Sequence, residues 1–114
     1  MSVTQDPAPE TAAEAGPETG PETGAATLRT LPIVNRKGLH ARASAKFVTV
    51  VEDHDAAAFV RRDGMEVSGD SIMGLMMLAA AQGEEIEVET SGPQAAQLLD
   101  ALTALVADRF GEGE

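Results

Sequence analysis

Glu85-Ile86-Glu87-Val88-Glu89 places a carboxylate at every second position with a β-branched apolar residue between them. Only an extended strand can bury Ile86 and Val88 while three charges stay in water, because side chains alternate faces along a strand and spiral around a helix. The chain must therefore build a sheet with one wet face, and the remaining sequence has to supply partner strands and a cover for the dry face.

Candidates for both are present. Leu31 and Ile33 alternate with Thr30 and Pro32, predicting a strand that ends near Asn35 and, because of its proline, lies at an edge. Asp63-Gly64, a dipeptide suited to the positive backbone angles of a tight hairpin, separates Ala56–Arg62 from Met65–Ser68 and predicts two antiparallel strands. After the Gly38 turn, Ala41–Val51 carries Ala43, Phe47 and Val51 on one stripe, the spacing of a helix. Asp70-Ser71 starts and Gly83 stops a second helix over Ile72–Gln82, with Leu75, Leu78 and Ala79 on one face. Pro93 opens a third, in which Leu98, Leu99, Leu102, Leu105, Val106 and Phe110 recur at three- and four-residue steps, and Gly111–Glu114 is expected to fray. The order βαββαβα predicts an α+β open-faced sandwich, a four-stranded antiparallel sheet covered on one face by three helices.

The first 26 residues stand apart. Pro7, Pro9, Pro17 and Pro21 recur among Ala, Glu, Thr and Gly, and Gly16-Pro17-Glu18-Thr19 repeats as Gly20-Pro21-Glu22-Thr23. With so little to bury, such a stretch cannot offset the entropy of ordering, so residues 1–26 are expected to be a disordered acidic tail and 27–114 the folded domain. The 114-residue chain has no cysteine, which rules out disulfides and thiolate metal sites and fits a cytoplasmic setting. The first residues, with no basic cluster followed by an apolar run, do not read as a secretory signal, and no stretch approaches membrane-spanning length.

A formal net charge of -11 argues against nucleic acid as a partner. Five acidic residues and none of the eight basic ones fall within residues 1–27, whereas Arg36, Lys37, Arg42 and Lys46 crowd around His40. Such a basic patch is either a solvated face or a place for an anion. His40 stands where the Gly38 turn meets the first helix, and no Ser, Thr, Asp or Asn occupies positions 38–42 to cap it, leaving the N–H groups of Ala41 and Arg42 for an incoming anion. An imidazole there is either an exposed helix-start histidine or a nucleophile, and Arg42 could neutralise phosphoryl oxygens beside it. His54, among Glu52, Asp53 and Asp55, reads as a solvated histidine.

Gly38-Leu39-His40-Ala41-Arg42-Ala43-Ser44-Ala45-Lys46-Phe47-Val48 resembles the active-site segment of HPr, the histidine-containing phosphocarrier family of the bacterial phosphotransferase system. Gly69-Asp70-Ser71-Ile72-Met73-Gly74-Leu75-Met76-Met77-Leu78 resembles that family's regulatory-serine segment, and the order of elements is similar to its fold. The likeness spans about residues 28–110. It implies a phosphoryl carrier and not an enzyme in its own right, needing no cofactor or metal, with His40 accepting phosphate on Nδ1 from enzyme I, Arg42 steadying it, and an enzyme II A-type protein receiving it. It further implies Ser71 as a target of HPr kinase/phosphorylase, beside its plain reading as a helix cap. A partner-binding patch of Ala41, Lys46, Phe47, Ile72, Met73 and Met76 is also implied, beside ordinary core packing for the apolar members. A monomer is expected. Ala43 departs from the proline that many relatives carry, which bears on the geometry of the helix start. The Gly69-Asp70-Ser71 wording leans toward the nitrogen-related branch over sugar uptake.

Two other classes compete with this reading. Asp70-Ser71-Ile72 in a small acidic chain also fits an acyl carrier, but acyl carriers are helical bundles and the Glu85–Glu89 alternation demands a sheet. A regulatory homologue that binds partners without transferring phosphate would have no need of His40.

Overall fold

The computed structural model describes residues 26–112. In chain order these form β1 (Ala26–Pro32), α1 (Ala41–Glu52), β2 (Ala57–Arg62), β3 (Met65–Ser68), α2 (Ile72–Met77), β4 (Glu85–Ser91) and α3 (Ala95–Ala107), followed by a single 3₁₀ turn over Arg109–Gly111. The four strands make one antiparallel sheet in the order β1-β4-β2-β3. The predicted α+β sandwich is therefore the observed fold. The tail expected over residues 1–26 lies outside the described residues except for Ala26, which already pairs with Ser91.

Register follows from the alternation in β4. Pairing Leu31 with Ile86 and Val60 with Val88 puts all four side chains on the covered face, where each is almost completely buried. Glu87 and Glu89 face the other way, and Arg61 on β2 gathers them with Glu66, at 3.5, 2.6 and 3.1 Å. This cross-strand ion cluster lies on the wet face and contributes little stability. Beneath the dry face, α3 packs over β1 and β4, and α1 packs against both α2 and α3. The core joins Ile33, Phe47, Leu75, Leu98, Leu102, Val106 and Phe110 to the sheet. With no cysteine and no large aromatic anchor beyond phenylalanine, aliphatic burial at roughly 25 cal/mol per Å² carries the fold.

Several expectations about element ends need correction. β1 leaves its ladder at Pro32, and Ile33 instead exchanges backbone hydrogen bonds with Gly83 and Glu84. The second helix stops at Met77, not Gln82. Arg62 Nη1 takes the Leu78 carbonyl at 3.0 Å, Ala79 turns to φ +53°, and the Ala80 carbonyl accepts the Leu39 N–H at 3.0 Å. As a result Ala79, expected on the buried stripe, is exposed, and Ala80 is buried in its place. The third helix begins at Ala95, two residues after Pro93, and ends before Phe110. Positive φ at Arg109 and Phe110 reverses the chain and tucks the Phe110 ring fully into the core. Finally, Glu112 does not fray: its side chain is only 9% exposed. Residues 113–114 lie outside the described residues.

Candidate functional site

The site is built on a turn that only glycine can make. Gly38 has φ +65°, and a Cβ there would sit 2.3 Å from the Ala80 carbonyl oxygen. This close approach lets the Leu39 N–H reach Ala80 and buries the Leu39 side chain, which delivers His40 to the N-cap of α1. His40 is extended (φ −75°, ψ −178°) and makes no side-chain capping bond. The N–H groups of Ala41, Arg42 and Ala43 thus head α1 without intrahelical acceptors, at the positive end of a 12-residue helix. Ala43 is fully buried, and α1 is regular from Ala41 without a proline.

The imidazole, 25% exposed, is held through Nε2. Its Nε2 meets Oε2 of Glu112, whose other oxygen accepts from Asn35 Nδ2 at 3.1 Å. Asn35 is completely buried, and the same Nδ2 also donates to the Gly38 carbonyl at 2.9 Å, tying the turn to the carboxylate. A carboxylate facing Nε2 requires that nitrogen to carry the hydrogen, which leaves the lone pair of the neutral ring on Nδ1. Nδ1 has no hydrogen-bond partner among the described residues.

Burial would raise the Glu112 carboxyl. Hydrogen bonds from Asn35 and His40, with the nearby charges of His40 and Lys37, outweigh it and hold the group below its ordinary value. The backbone reaching Glu112 is fastened by Lys46 Nζ, which donates to the Phe110 carbonyl at 2.6 Å.

Lys37, Arg42, Lys46, Gly111 and Glu112 line a polar recess of about 210 Å³, and Glu112 joins it to the ring. Arg42 is exposed and has no ion-pair or hydrogen-bond partner among the described residues, so its guanidinium can turn to an arriving anion. A larger recess of about 500 Å³ lies on the wet sheet face around Arg61 and Arg62, where those arginines are already committed to carboxylates.

The other singled-out residues separate into three groups. Ser71 caps α2, its Oγ accepting the Gly74 N–H at 3.0 Å, so the plain capping reading holds. Ile72, Met73 and Met76 are exposed, as is Met77. Phe47 is not: its side chain is wholly buried and offers no surface, so its place in the expected partner patch is corrected to the core. Of the basic members, Lys46 is engaged with Phe110.

Asn35 and Glu112 went unrecognised in the sequence. Glu112 lies 72 residues from His40, past a glycine that reads as a helix stop, and the only local hint is Phe110 continuing the apolar spacing of α3. Among the described residues no helix is long and apolar enough to cross a membrane.

Comparison with known proteins bears directly on this arrangement. Residues 28–108 match the family model described as "PTS HPr component phosphorylation site". A phosphocarrier protein HPr of Cupriavidus necator is 48% identical over 86 residues, covering 75% of this chain and 97% of the relative. Phosphocarrier protein NPr of Escherichia coli is 39% identical over 85 residues, covering 74% of this chain and 94% of its own length. Among solved structures, HPr of Thermoanaerobacter tengcongensis superposes with a TM-score of 0.72 at 34% identity, over 75% of this chain and 97% of that one.

Proposed function

This chain belongs to the HPr phosphocarrier family of the phosphotransferase system, and from that premise we propose that His40 Nδ1 is the atom that carries the phosphoryl group. One observation carries the assignment: Glu112, which lines a recess with Lys37, Arg42 and Lys46, occupies Nε2, and Nδ1 has no partner among the described residues.

Enzyme I, charged by phosphoenolpyruvate, is the donor. The Nδ1 lone pair attacks phosphorus, the new N–P bond forms as the bond to the donor's nitrogen breaks, and Nε2 keeps its hydrogen throughout. Arg42, Lys37 and the first-turn N–H groups of α1 face the phosphoryl oxygens, and Glu112 opposes the positive charge that grows on the ring. Onward transfer to an enzyme II A-type protein reverses these events. Positioning and electrostatics supply most of the rate. The carrier works in the cytoplasm as a monomer, presenting Ala41 and the exposed Ile72, Met73 and Met76 to its partners. Which enzyme II A-type recipient takes the phosphate decides between the nitrogen-related and sugar-uptake branches.

Ser71 is the second proposed phosphate site, a substrate for HPr kinase/phosphorylase. A phosphate at a helix start is locally tolerated and adds charge that repels acidic partner surfaces.

The test is incubation with enzyme I and labelled phosphoenolpyruvate. Acid-labile label that disappears in His40→Ala is the expected result; acid-stable label, or label that survives in His40→Ala, overturns the assignment.

A further inference from the structure

The chain has no cysteine, so methionine is its sole sulfur. None of the four described methionines lies in the core. Met73 and Met77 are 71% and 63% exposed, Met65 and Met76 about two-fifths. This is an unusual use of a flexible apolar side chain that ordinarily fills gaps inside proteins. The inward work is done by Leu75 in α2 and by Leu78 at its C-cap, which are buried, while Met73, Met76 and Met77 stand at i, i+3 and i+4 and so form one contiguous patch of thioether around a single turn.

We propose that this α2 thioether patch is an oxidative modification site, at which hydrogen peroxide converts Met73 and Met77 first, and then Met76, to sulfoxides that weaken partner docking while leaving the fold intact. The inference rests on the carrier reading above for its functional consequence. In the reaction a sulfur lone pair attacks one peroxide oxygen, the O–O bond breaks, that oxygen stays on sulfur, and the other leaves as water. Sulfur is oxidised by two electrons and peroxide is reduced by two. A sulfoxide is a strong acceptor that a dry interface leaves unpaired, so each one buried on docking opposes association. The core contains no sulfur among the described residues, hence oxidation has no packed thioether to disrupt. Reduction by a methionine sulfoxide reductase with a dithiol returns the patch to its apolar state.

The experiment treats the whole protein with hydrogen peroxide, removes the oxidant with catalase, and follows three readouts. Peptide mass mapping is expected to find oxygen first on Met73 and Met77. Thermal unfolding is expected to be unchanged. Initial phosphoryl transfer from enzyme I at sub-saturating carrier is expected to fall at least fivefold and to recover after reductase treatment. The variant Met73→Leu/Met76→Leu/Met77→Leu, each preparation compared with its own untreated control, is expected to lose the sensitivity to peroxide. Transfer that is unaffected by mapped sulfoxides, an equal loss in the leucine variant, or a loss accompanied by unfolding each overturns the proposal. An untreated protein that accepts no phosphate at all overturns the carrier reading instead, and with it the docking consequence.

Discussion

Replacing Gly38 by alanine tests how the site is assembled. Gly38 adopts φ +65°, a conformation that costs an L-residue about 1–2 kcal/mol. The added Cβ would lie 2.3 Å from the Ala80 carbonyl oxygen and 3.0 Å from Ala81 Cα, both backbone atoms that cannot swing aside as a side chain could. Relieving that overlap breaks the 3.0 Å bond from Leu39 N–H to Ala80 and strands a buried donor, worth about 1–3 kcal/mol. Taken together the loss is roughly 3 kcal/mol, a large part of the ~5–15 kcal/mol that holds a small domain. The melting temperature should fall by about 12–24 °C for a domain of this size. Gly64 supplies the control, because it too has positive φ (+80°) but nothing within 4 Å of its would-be Cβ, so Gly64→Ala carries the backbone cost alone. Reversible thermal and urea unfolding of the two variants beside the parent reads the difference. If Gly38→Ala proves no more destabilising than Gly64→Ala, the close approach to Ala80 is not what shapes the turn, and the reasoning fails.

Other perturbations have equally definite expectations. Glu112→Ala removes a charge-assisted hydrogen bond to the ring worth about 1.5 kcal/mol, so phosphoryl transfer from enzyme I should slow about tenfold, read from initial rates. The Glu112 carboxyl is depressed in the folded state, so the folded chain holds on to its proton less than the unfolded one does. Its contribution is complete above the unfolded value and is lost as pH falls through the lower folded value; carboxyl-carbon NMR should therefore show Glu112 titrating below the ordinary glutamate value. Ser71→Ala deletes the cap on α2 and should cost about 1 kcal/mol in urea unfolding, without altering acid-labile labelling of His40.

What the sequence made legible was local. Alternation at Glu85–Glu89 fixed which face of the central strand is wet, Asp63-Gly64 located the hairpin, and the uncapped His40 after Gly38 marked the start of α1. Its limits were set by contacts between distant segments. Ile72–Gln82 reads as one helix because nothing nearby reveals that Arg62 will take the Leu78 carbonyl or that Leu39 will claim Ala80. Likewise, Asn35 and Glu112 carry no periodic or motif signal, since their value arises only when a left-handed turn at Arg109 and Phe110 brings the chain back to His40. Phe47 lies where its helical spacing with Ala43 and Val51 put it, on the buried stripe of α1; its place in the partner patch came only from the resemblance.

The most direct measurement is phosphorus–nitrogen correlation NMR on uniformly nitrogen-15-labelled protein charged by enzyme I and phosphoenolpyruvate. The expected spectrum couples one phosphorus to Nδ1 of His40, with Nε2 still bearing its hydrogen opposite Glu112. Coupling to Nε2, or phosphorus attached to any other residue, would contradict a site in which Glu112 holds one ring nitrogen so that the other can carry the phosphate.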